Sequence, residues 1–159
     1  MKKIILCLLV LFMCVGCEKS DFTKESLEPN EFINKMEALD YGVIDLDVKN
    51  DTYKEILNAA NGNIHVTYYY FVGDRTARDF FLDTKESMEI YEKKELDKDG
   101  KVIMKPEVEA KSFNNFSIYS IETPYNYRYL SKVNDTVILV YASADSITQA
   151  KLMIEKIGY

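Results

Sequence analysis

The chain has 159 residues, with 20 Lys and Arg against 26 Asp and Glu, so its net charge is −6. An acidic surface repels phosphate backbones on average, which argues against nucleic acid as a partner and against docking on anionic lipid through overall charge. The three cysteines, Cys7, Cys14 and Cys17, all lie at the N-terminus, so no disulfide can staple the remainder and a hydrophobic core must hold it.

Lys2 and Lys3 precede an unbroken apolar run, Ile4 to Val15, that ends at Gly16-Cys17 and is followed at once by Glu18, Lys19, Ser20 and Asp21. A helix needs roughly 20 apolar residues to span a bilayer, and this run is shorter, so it reads as a signal peptide over residues 1–16. The segment Cys14-Val15-Gly16-Cys17 resembles the lipobox of bacterial lipoproteins. By that resemblance the chain is cut before Cys17, and Cys17 carries the lipid. The resemblance implies a protein anchored to the extracytoplasmic face of a cell membrane. The place that usually holds Leu is filled here by Cys14. Residues 17–29 then form the lipidated cysteine and a charged, aperiodic tether, and 30–159 form one domain.

Within that domain Asn30 is the expected cap of a first helix carrying Phe32, Ile33, Met36 and Leu39, stopped by Gly42. Alternation over Val43–Val48 predicts a half-exposed strand with Ile44, Leu46 and Val48 on one side and Asp45 and Asp47 on the other. Asp51 to Asn61-Gly62, with Tyr53, Ile56, Leu57 and Ala60, reads as a short second helix. Ile64–Val72 is the strongest strand in β-branched and aromatic content, and neither of its faces is plainly polar. It suits an interior strand with helices on one side. The longest helix follows from Asp74, with Ala77, Phe81, Thr84, Met88 and Tyr91 at helical steps.

From Glu92 to Lys111 the chain is densely charged, with a turn signal at Asp99-Gly100 and a break at Pro106, which predicts a mobile hairpin or loop. Strands at 113–122, 125–132 and 136–143, separated by Thr123-Pro124 and Asn134-Asp135, imply an antiparallel meander. A closing helix with Ile147, Ala150, Leu152, Met153, Ile154 and Ile157 ends at Gly158-Tyr159. The order predicts an α+β fold: a mainly antiparallel sheet with helices packed on one face, and a C-terminal three-strand meander followed by the closing helix. This layout is similar to that of small lipoproteins of Gram-positive bacteria.

Chemistry is sparse. His65 is the lone histidine, placed mid-strand among aromatics where a packed structural role is expected, and no His/Cys cluster for a metal can be assembled. Glycines of the domain stand singly, so no phosphate loop and no cofactor site is indicated. The Asp97/Asp99 pair lacks the spacing of a calcium loop, and Asp45/Asp47 reads as a solvated strand face. No catalytic residue is identified. The tyrosines are the distinctive feature. Tyr68 and Tyr70 share one strand face, and Tyr125, Tyr127 and Tyr129 alternate along another, giving the apolar area with polar tips of a recognition surface. The same residues also suit the plain covering of a sheet face. The expected role is a membrane-anchored, non-enzymatic binding or interaction module, held through lipid on Cys17 and meeting an envelope protein; the alternative is a small envelope hydrolase using converging carboxylates.

Overall fold

The structure, a computed structural model, describes residues 23–92, 95–96 and 98–159. Cys17 and the leader therefore lie outside the described residues, as do Asp97 and residues 18–22 of the expected tether. The elements run α1 (Pro29–Glu37), β1 (Gly42–Asp45), β2 (Tyr53–Asn61), β3 (Ile64–Phe71), α2 (Asp74–Glu89) and a 3-10 turn (Ile90–Glu92). A small hairpin of β4 (Glu95–Leu96) and β5 (Val102–Met104) comes next. The chain then continues through β6 (Glu107–Ser112), β7 (Phe116–Glu122), β8 (Asn126–Val133), β9 (Thr136–Ser143) and α3 (Ile147–Ile157).

One seven-stranded sheet, ordered β1-β2-β3-β9-β8-β7-β6 and antiparallel at every pairing, organises the domain. It consists of two meanders, β1–β3 and β6–β9, joined at a central seam where Tyr68 lies opposite Ile138 and Val66 opposite Val140. The α+β class, the antiparallel sheet and the C-terminal meander closed by a helix are as expected from the sequence.

Alternation along β3 sends Val66 and Tyr68 to one face and Tyr69 and Phe71 to the other. The first face packs under α1 and α3: Phe32 stacks on Tyr68 with ring centroids 4.7 Å apart, and Met36, Met153 and Ile157 complete this core. Burying a side chain such as Phe32 contributes about 1.5–3 kcal/mol. The opposite face packs under α2, where Phe80 lies 4.6 Å from Tyr69 and Ala77, Phe81 and Met88 meet Leu130 and Val137. So two of the three helices among the described residues gather on one face, and α2 covers the other, because β3 is apolar on both sides.

Several local readings change. Residues 53–61, expected as a helix, form β2: Leu57 and Ala59 alternate into the first core, and Asn61-Gly62, read as a helix stop, is instead a hairpin turn with Gly62 at φ 56°. The apolar spacing of this segment fits both periods, and pairing with β1 and β3 on its two sides decides for the strand. Helix α1 begins at Pro29, whose fixed φ suits the first helical position, so Asn30 is inside the helix and is not its cap. It ends through Asp40, at φ 62°, with the Tyr41 N–H donating to the Met36 carbonyl. Gly42 opens the next strand. β1 stops at Asp45, whose carboxylate accepts the Asp47 N–H at 2.8 Å in an Asx turn, leaving Ile44 and Leu46 exposed.

Half of the expected loop over 92–111 forms strands: the hairpin turns at Asp99-Gly100, and β6 adds an edge strand to the sheet. All six β6 residues are exposed, and alternating charge protects such an edge from pairing with other chains. The last residues of the expected tether are docked. Leu27 is buried and its carbonyl accepts the Tyr68 hydroxyl at 2.7 Å, which fixes the chain from Lys24 onward against the domain.

Candidate functional site

The turn between β6 and β7 and the first three turns of α2 enclose a groove of about 550 Å³. It opens on the α2 face, because the helix runs over β3, β9 and β8 and leaves the β6–β7 edge bare. On the floor, Ser112 and Ser117 face each other across the strand pair with hydroxyl oxygens 3.1 Å apart, and Lys132 of β8 lies beside Ser117. Lys111 projects to the opposite face, being paired with Ile118, whose side chain packs on the first core. Helix α2 forms the wall with Asp74, Arg78, Phe81, Leu82 and Lys85, and Phe113, Asn114 and Asn115 form the rim.

Lys132 is the buried cation of the site, with 8% of its side chain exposed, and its ammonium donates to the Asp74 carboxylate at the start of α2. An acid in the first helical turn is also favoured by the helix dipole. Lys85 bonds Glu89 at 2.8 Å and lies 5.3 Å from the centre of the Tyr119 ring. Arg78 is exposed and has no ion-pair partner among the described residues. Three cations against one carboxylate thus line a groove in an acidic protein, and hydroxyl donors stand beneath them.

The N-terminal segment meets the same rim. Asn115 accepts the Lys24 N–H at 3.2 Å and donates to the Lys24 carbonyl at 2.6 Å. Phe113 stacks on Phe116 at 4.4 Å, with the Lys24 ammonium 5.3 Å from the Phe116 ring centre. Burial lowers the pKa of Lys24, and the ring face compensates part of the lost hydration.

The tyrosines do not present a shared recognition face. Tyr68, Tyr127 and Tyr129 are buried in the first core beneath the helices, and burial pushes the Tyr127 phenol up to about 12 and those of Tyr68 and Tyr129 higher still. Tyr70 is half-buried under the Lys54 ammonium, 4.0 Å from its ring centre. Of these five only Tyr125, 66% exposed, stands open, at the turn between β7 and β8. Arg128 points away from Tyr127 and Tyr129, as alternation requires, and lies 3.5 Å from the Tyr91 ring centre and 5.7 Å from that of Tyr141.

His65, expected to be packed, is exposed on the uncovered part of the α2 face, opposite Tyr141 of β9. No cluster of three or more His, Cys, Asp or Glu residues suited to a metal occurs among the described residues. Carboxylates do converge elsewhere: Glu107 lies opposite Glu122, with Glu109 nearby, around a cleft of about 170 Å³. There Glu122 pairs with Lys151 and Glu109 with Lys111, so two of these acids face lysine partners.

No family model matches the chain, and no curated protein does. A crystal structure of a GTP-binding regulator from Thermotoga maritima is similar over 87% of this chain and 90% of that one, at 10% sequence identity and a TM-score of 0.47, and we draw nothing about function from it.

Proposed function

We propose that this protein is a membrane-anchored, non-enzymatic binding module, attached by lipid on Cys17 to the extracytoplasmic face of a cell membrane and using the α2 groove as its binding site. Support for the anchor is the lipobox-like segment Cys14-Val15-Gly16-Cys17 behind a short apolar run. The groove carries the binding role: it combines a buried lysine, an arginine with no ion-pair partner among the described residues and two hydroxyls with the apolar walls of Phe81 and Leu82. That donor set suits an anionic group with an apolar attachment. The carboxylate cleft is ion-paired to lysines, which favours a structural role for its acids over acid-base work.

Labelling tests the anchor. Cells expressing the full chain should incorporate radiolabelled palmitate into it, and Cys17→Ala should incorporate none. Label retained in Cys17→Ala, or absent from the natural chain, overturns the assignment.

A further inference from the structure

We propose that the α2 groove receives the phosphate of an anionic lipid headgroup from the same membrane that holds the anchor, with Phe113 entering the interface beside it. This rests on lipid attachment at Cys17 and names the ligand class of the groove.

Distance is the first argument. Lys24 is fixed to Asn115 on the groove rim, so the folded domain begins where the groove opens. From Cys17 to Thr23 the chain can span at most about 20 Å when fully extended. The turns at Gly62 and Tyr125 close the strands at the opposite pole of the sheet, a further distance of about 25 Å for strands of this length. An anchor at Cys17 therefore keeps the groove pole within about 20 Å of the headgroups, closer than its attachment requires of the Tyr125 pole.

Charge is the second. The whole chain is at −6, yet Arg78, Lys85 and Lys132 converge on the groove. The partner of Lys132 is Asp74, whose side chain is 66% exposed, so that carboxylate can turn to water while a phosphate takes the ammonium. The Ser112 and Ser117 hydroxyls supply neutral donors to the same oxygens.

The third is the rim. Phe113 is 42% exposed beside these cations, and an aromatic ring next to a cationic cleft is the pairing that a headgroup and its acyl boundary demand.

The chain contains no tryptophan, so Phe113→Trp is a single reporter and Tyr125→Trp is its control at the opposite pole. The lipidated full chain is reconstituted with phosphatidylcholine vesicles, with and without phosphatidylglycerol, and flotation measures attachment. The emission of Phe113→Trp should shift to shorter wavelength only with phosphatidylglycerol. Arg78→Gln combined with Lys85→Gln should abolish most of that shift, and Tyr125→Trp should read the same in both vesicles. Should Phe113→Trp perturb the fold by circular dichroism, Asn114→Trp, exposed on the same rim, takes its place. A protein that floats with both vesicles but emits identically overturns the headgroup site while the anchor stands. Full shift with inorganic phosphate and no vesicles also overturns it, in favour of free phosphate. A chain that floats with neither vesicle removes the anchor and this site together.

Discussion

Raising the pH should unfold this protein cooperatively, because its core is built on phenols. Tyr68, Tyr129 and Tyr159 are buried, and burial pushes each hydroxyl well above its ordinary value near 10. Tyr68 also donates to the Leu27 carbonyl, and Tyr159 shares a hydrogen bond with the Thr136 hydroxyl. Above pH 10 the unfolded chain releases these protons and the folded one retains them, so stability is intact below that pH and falls as pH rises beyond it. Each such group lowers stability by about 1.4 kcal/mol per pH unit, and the three together by about 4. Against a total of roughly 5–15 kcal/mol, unfolding should fall between about pH 11 and 14. Tyr127, at about 12, steepens the loss further. Phenolate absorbance at 295 nm and far-UV circular dichroism, followed together, should change in one shared transition. A gradual rise of absorbance to the amplitude of all twelve tyrosines, with the dichroism unaltered, would refute the reasoning.

Other perturbations read separate contacts. Asn115→Ala removes both side-chain bonds to Lys24, so residues 23–26 should become cleavable under limited proteolysis while the core holds; the loss is about 1–3 kcal/mol, and unchanged protection argues against the clamp. Asp74→Asn leaves the Lys132 ammonium buried beside a neutral partner and should cost about 1–3 kcal/mol in urea unfolding. Lys132→Met, similar in volume and uncharged, should cost less; the reverse order would contradict the burial argument. Gly158 ends α3 at φ 92°, so Gly158→Ala should lower stability by about 1–2 kcal/mol with no change in spectrum, and no loss would mean that the cap is not needed.

The C-terminal half of the fold was legible in the sequence because its signals agree. β7 to β9 are rich in β-branched and aromatic residues, their turns carry Thr123-Pro124 and Asn134-Asp135, and α3 has a one-sided stripe closed by glycine. β2 was misread because Tyr53, Ile56, Leu57 and Ala60 satisfy a helical period as well as a strand, and only the neighbours β1 and β3 separate the two. β6 was missed because Glu107–Ser112 is a charged edge strand, with no buried side chain to mark it. That omission also hid the groove, since the groove needs β6 in place and draws Arg78, Ser117 and Lys132 from three distant segments. The tyrosine reading failed on burial: an aromatic strand face has the same pattern whether a helix covers it or water does.

The seam between β3 and β9 sets the order in which the chain becomes safe from itself. Each meander can form from local contacts, but β3 gains its second partner only when Thr136–Ser143 arrives, near the end of the chain. Until then Ile64–Phe71, the most aromatic and β-branched strand, is an open edge with apolar side chains on both faces. A nascent or truncated chain ending before Thr136 therefore presents a template for intermolecular pairing. Aggregation of this protein should be governed by the exposure time of one strand, and a holdase chaperone that binds extended aromatic segments would find its target there.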